Sequence, residues 1–194
     1  NFDLINVIPG WSRVMPEFNV ASSYPSNSDG TVSYNGYGVG VMFLPSGLGY
    51  FATYSPSIPS YSNLIFKFEL LQTETMDHDF DNIPTYMEVI EIDYDLSSKD
   101  TDGDLQVDFL DFDDDGDGTF TRDELLKETL TGETRAALEI ILADRTPNLN
   151  ANQFISPIKY NTDRNNFTAI LVTILDDNGN GTPNYLDDTE SEIK

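Results

Sequence analysis

The sequence predicts an α+β protein of two modules, residues 1–74 and 75–194, and three observations lead there. In "NLIFKFELLQ", Leu64, Phe66, Phe68 and Leu70 alternate with Ile65, Lys67, Glu69 and Leu71, the period of a half-buried strand. The formal charge of −24 is unevenly placed. Residues 1–72 hold Asp3, Glu17, Asp29 and Glu69 against Arg13 and Lys67, a net of −2 that leaves −22 to the remainder. Finally, one twelve-residue acidic pattern recurs four times after residue 76. A near-neutral, aromatic-rich part joined to a strongly acidic one reads as two modules meeting near Thr73 to Met76.

In the first module, "GVGVMFLP" predicts a second strand that Pro45 stops, and "WSRVMPEF" predicts one short helix that Pro16 limits. The segment "NVASSYPSNSDGTVSYNGYG" predicts a loop or a hairpin around Asp29 and Gly30. "SGLGYFATYSPSIPSYS", rich in Gly, Ser, Pro and Tyr, predicts a long loop.

The whole composition excludes several classes. There is no cysteine, so neither a disulfide framework nor a thiolate metal site is available. No apolar run reaches membrane-spanning length, and the start at Asn1 lacks a basic-plus-apolar signal segment. The negative field repels nucleic acid and anionic membrane and attracts cations.

The acidic repeat carries its own chemistry. "DDDGDGTFTRDE", Asp113 to Glu124, fits a calcium loop, with Asp113, Asp115 and Asp117 at the first, third and fifth places. Gly118 permits the turn, the Thr119 carbonyl adds an oxygen, and Glu124 closes the shell. "DHDFDNIPTYME" repeats the spacing with Asp77, Asp79, Asp81 and Glu88, and "DTDGDLQVDFLD" with Asp100, Asp102, Asp104, Asp108 and Asp111. "DDNGNGTPNYLD" offers Asp176, Asn178, Asn180 and Asp187. Calcium, as several ions, resolves the crowding by giving each carboxylate a partner. Leu105 stands where the second loop wants glycine, which predicts a different geometry there, and Asp93 and Asp95 are extra ligands or solvated groups. "TRDE", Thr121 to Glu124, also reads as a helix capping box.

The middle pair of loops is offset by thirteen residues, which leaves no room for a helix between them. The string therefore resembles the thrombospondin type 3 calcium repeat more than a paired EF-hand. Beyond the third loop, "DELLKETL" and "ETRAALEIILADR" predict helices broken near Gly132, the second with Leu138, Ile141 and Leu142 on its apolar face. "NNFTAILVTIL" is an apolar run that periodicity assigns to neither helix nor strand.

Three blocks of the first module, "VIPGW", "FLPSGLGY" and "SIPSYSNLIFKFELL", occur in the order found in peptidyl-prolyl isomerases of the FK506-binding-protein type, and residues 2–74 resemble that family. The resemblance implies an antiparallel sheet wrapped on a short helix, with an aromatic pocket between. It makes Trp11 the floor beneath a prolyl ring, Val7 and Ile8 its lining, Tyr50 a hydroxyl donor, and Ile58 and Phe66 its walls. Such a pocket lowers a rotation barrier of roughly 18–20 kcal/mol by binding the twisted amide best. The family domain begins several strands earlier, which implies a fragment of a longer protein or strands supplied from elsewhere.

Two functions follow as expectations. One is a prolyl isomerase acting on proline-containing segments, carried on a calcium-stiffened acidic module. The alternative is a non-catalytic interaction subunit of a cell-surface or outer-membrane assembly. Loops with imperfect ligands suit the millimolar calcium outside cells, which predicts an extracellular, surface or periplasmic location, with any lipid anchor in an N-terminal extension.

Overall fold

The computed structural model describes residues 2–89 and 99–190, so Asp93 and Asp95 lie outside the described residues. The chain is α+β and separates into two compact units, Asn1–Glu74 and Thr75–Lys194.

The first unit is a short helix on a strand pair. Helix α1 (Pro9–Val14) begins with proline at its first position, where no N–H is needed, and gives way to a 3-10 turn (Met15–Glu17) that contains Pro16. Strands β1 (Gly38–Leu44) and β2 (Leu64–Leu70) pair antiparallel, with Met42 opposite Phe66 and Gly40 opposite Phe68. Their inward residues, Met42, Leu44 and Phe68, form a core with Met15, and Ile8, Trp11, Val14 and Phe66 pack on it. Gly10 sits where a Cβ would strike Leu44, so the helix approaches the strand closely. The segment before β1 is an irregular hairpin, bridged at Ser23–Asn35 and Ser26–Val32. The outward face of the strand pair exposes Val39, Val41, Phe43 and Ile65 beside the charged Lys67 and Glu69.

The second unit is a sheet covered on both sides. Strands β3 (Leu126–Gly132), β4 (Gln153–Ile155) and β5 (Lys159–Asn161) all pair antiparallel with β6 (Asn166–Thr173). Helix α2 (Arg135–Arg145) is capped by Thr134, whose side chain accepts the Ala137 N–H. One face of β6, with Phe167, Ala169 and Leu171, meets Leu138 and Leu142 of α2. The opposite face, Ile170, Val172 and then Ile174, meets Ile83, Leu125, Tyr185 and Leu186 from the acidic loops. Burial on both faces explains why the apolar run "NNFTAILVTIL" carries no alternation.

Two helical expectations need correction. "DELLKETL" is not a helix: Leu126 onward is strand β3, in a seven-residue ladder with β6. Its leucines mimic helical spacing, but backbone pairing with a buried strand outweighs weak local preference. Nor is "TRDE" a capping box. Thr121–Asp123 form a 3-10 turn without side-chain cap, and the Thr121 hydroxyl instead accepts the Asp114 N–H. Ile141 of α2 remains partly exposed, while Leu138 is fully buried.

Candidate metal centres

The four acidic segments share one backbone design. At the fourth position Phe80, Gly103, Gly116 and Gly179 have φ between 66° and 80°, and at the sixth Asn82, Leu105, Gly118 and Gly181 have φ between 82° and 97°. The third-position side chain accepts the N–H of the fifth residue, and the fifth accepts that of the seventh, in every loop. Each loop closes with a 3-10 turn: Thr85–Met87, Asp108–Leu110, Thr121–Asp123 and Asn184–Leu186. The ninth residue is buried and latches back to the second. Thr85 Oγ1 bonds His78 Nδ1 at 2.7 Å; Asp108, Thr121 and Asn184 accept the N–H groups of Thr101, Asp114 and Asp177.

Leu105 thus adopts the same left-handed backbone as its glycine counterparts, contrary to the altered geometry expected of the second loop. Its side chain is 92% exposed, so nothing is gained from burial to offset a Cβ penalty of roughly 1–2 kcal/mol. Leu105→Gly is expected to stabilise the unit by about 1 kcal/mol, read as a higher urea midpoint. A lower midpoint would show that the leucine carries packing the geometry does not reveal.

The carboxylates converge unequally. Asp79, Asp81, Glu88 and Asp114 bring one oxygen each within 4.8 Å of the others, as do Asp113, Asp115 and Asp117, and Asp100, Asp102 and Asp104. In the first two groups the convergence is desolvated. Among the described residues, eleven buried carboxylate oxygens have no hydrogen-bond partner, all from Asp79, Asp81, Glu88, Asp113, Asp114, Asp115, Asp117 and Glu124. A buried charge left unpaired is costly, so these oxygens call for a cation.

Without one, protons are drawn in. Burial first, then the charges of Asp81 and Asp79, pushes Glu88 up to about 10. Burial, with Asp108 and Asp81 next, pushes Asp114 up to about 9. Asp81 rises to about 8 from burial and then Asp79, and Glu124 to about 8 from burial and then Asp115.

Several other expected ligands lie outside those three carboxylate groups. Asp108 is consumed as the latch of its loop, bonding the Thr101 hydroxyl and pairing with Lys99 at 2.8 Å. Asp77 accepts the Phe80 N–H outside the four-carboxylate group, and Asp111 accepts the Asp113 N–H. The Thr119 N–H donates to Asp117. In the fourth loop, Asn178 and Asn180 donate their amides to Asp187 at 2.9 and 2.7 Å, while Asp176 accepts the Gly179 and Gly181 N–H groups. Asp187, bonded first by the Thr189 hydroxyl and then by Asn178, is held down to about 2. This loop closes on its own hydrogen bonds. Asp114 is the residue that loop spacing missed, because it occupies the second position, which the calcium template leaves unassigned. The run of three aspartates, Asp113 to Asp115, is the signal that could have exposed it.

In the first unit, Ile8, Trp11 and Phe66 come together, partly buried, against the core of Met15, Met42, Leu44 and Phe68. The Trp11 ring lies 5.2 Å from Phe66, 5.8 Å from Phe68 and 6.1 Å from Phe2, which stacks on it. Val7 caps the first 3-10 turn (Leu4–Asn6), Tyr50 is partly exposed, and Ile58 bridges Ser55; none of the three belongs to that core cluster.

Fold and sites together define an α+β protein whose second unit is organised around carboxylate-lined loops. Residues 78–150, less than half of the chain, match the family model described as BamM C-terminal. No curated protein and no solved structure matches. This likeness corrects the isomerase expectation: the matched region points to a component of outer-membrane assembly, and likeness to the isomerase family or to thrombospondin type 3 and EF-hand repeats receives no support. Among the described residues, no helix is long and apolar enough to cross a membrane.

Proposed function

We propose that the chain is a non-catalytic interaction subunit of an outer-membrane assembly complex, with calcium holding its second unit in shape. The observation that carries this reading is the BamM C-terminal likeness, which spans the first three acidic loops, strand β3 and helix α2. The same likeness supports a periplasmic, outer-membrane-associated location. The first unit suits binding rather than chemistry: it offers an exposed strand face with Val39, Val41, Phe43 and Ile65 on a packed helix-and-strand scaffold. Calcium is the fitting cation because the donors are all oxygen, number more than an octahedral magnesium site takes directly from protein, and include glutamates at the closing position.

Affinity isolation of the tagged chain from cell envelopes, in calcium and after mild detergent extraction, tests the reading. Components of the outer-membrane assembly machinery are expected in stoichiometric amounts by mass spectrometry. Recovery of the chain by itself, or with soluble folding clients only, would reject it.

A further inference from the structure

We propose that Asp114 is a crossover ligand: it belongs by sequence to the third loop but completes the cation centre of the first, so that the two ions bind as a coupled pair. The inference rests on the calcium reading above and names a ligand that the loop template does not contain.

Asp113, Asp114 and Asp115 lie in a tight turn closed by the Gly116 N–H on the Asp113 carbonyl at 3.1 Å, and the turn sends their carboxylates to two different groups. Asp113 and Asp115 join Asp117 in the third loop's group, while Asp114 joins Asp79, Asp81 and Glu88 of the first. Asp114 is 2% exposed, and neither of its oxygens has a hydrogen-bond partner. Its direction is held by its own backbone, because its N–H is latched to Thr121 Oγ1 at 3.2 Å within the third loop. The carboxylate can therefore take its place beside Asp81 and Glu88 only when the third loop is wound.

The donor count agrees. Asp79 and Asp81 contribute one unpartnered oxygen each, and Glu88 and Asp114 two each, which reaches the lower bound of a calcium shell before any carbonyl or water is added. Removing Asp114 leaves a cavity whose remaining oxygens fall short of that bound. The third loop retains one oxygen each of Asp113, Asp115 and Asp117 and both of Glu124, five that a single backbone carbonyl or water brings to the bound, so it needs no ligand from another loop. The coupling is thus directional in assembly: an ion in the third loop fixes Asp114 and prepares the first site. By linkage, an ion in the first site must in turn favour the third.

Two measurements on the full chain decide it. The first is calcium titration by isothermal calorimetry of the wild type, Asp114→Asn, Asp81→Asn, Asp117→Asn and the doubles. Asp114→Asn is expected to weaken the same ion as Asp81→Asn by roughly tenfold or more, with the D81N/D114N double no worse than either single. The D114N/D117N double is expected to lose both ions. Non-additivity of D114N with D117N but not with D81N would overturn the assignment, as would a D114N titration identical to the wild type. The second needs no variant: anomalous scattering from calcium-grown crystals should place an ion about 2.3–2.6 Å from oxygens of Asp114, Asp81 and Glu88. An ion in the third loop with Asp114 facing none rejects the crossover alone. No calcium at any loop rejects the reading on which it rests.

Discussion

Chelating calcium at neutral pH is expected to unfold the second unit while leaving the first intact. Among the described residues of that unit eleven buried carboxylate oxygens stand without a hydrogen-bond partner, and apolar contacts from Ile83, Leu125 and Tyr185 depend on the loops that carry them. A ligand that binds only the folded state adds about 2.7 kcal/mol per site at a hundredfold excess over its dissociation constant. Two or three such sites supply roughly 5–8 kcal/mol, comparable with the whole stability of a typical domain. Removal of calcium is therefore expected to abolish hydrogen-exchange protection in β3 and β6, with protection of β1 and β2 unchanged. Identical melting of the second unit with and without chelator would show that the carboxylates are satisfied without metal.

The pH dependence should reverse sign with calcium. In chelator, Glu88, Asp114, Asp81 and Glu124 have folded values of about 10, 9, 8 and 8, all raised above their unfolded values chiefly by burial. Between the unfolded carboxylate range and those values, the folded chain holds more protons than the unfolded one, so stability falls as pH rises. Acidifying the chelated protein from pH 8 to pH 5 should raise whatever melting midpoint the second unit retains. With saturating calcium the carboxylates must be ionised to bind, and protons compete with the metal. The same acidification should then lower the midpoint. Thermal scans at both pH values, with and without calcium, read the crossing directly. Curves that move the same way in both conditions would contradict the role given to these groups.

These expectations separate the chain's two kinds of information. The loop pattern is legible residue by residue because its winding is held by bonds between near neighbours, the third side chain taking the fifth N–H and the fifth taking the seventh. The first, third and fifth positions of the second and third loops therefore converge as their spacing predicts, while the first loop brings its third, fifth and twelfth positions together with Asp114. The strands β1 and β2 were legible for a similar reason, since each has one packed and one open face and the alternation survives in the residue types. β6 was not, because helix α2 covers one side and the acidic loops the other, and burial on both sides erases the period. β3 misled for want of its partner: Leu125, Leu126 and Leu130 satisfy a helical spacing until β6 supplies the ladder.

The ligand sets show the same division. Asp108 fits the template by type but is diverted to Lys99 and Thr101, and Asn178 and Asn180 turn their amides onto Asp187. Asp114 goes the other way, from an unassigned place in one loop to a ligand position in another. The aromatic neighbours of Trp11 follow this rule too, since Phe2, Phe66 and Phe68 come within 5.2–6.1 Å of the indole only in three dimensions.

By itself the sequence determined the two-part organisation of charge, the strand pair of the first unit and the winding of four acidic loops, because each depends on neighbours a few residues away. Only the tertiary structure decided which carboxylates meet, which are latched away and which apolar run is a central strand. Those outcomes depend on which distant groups exclude water together, and no spacing along the chain encodes that.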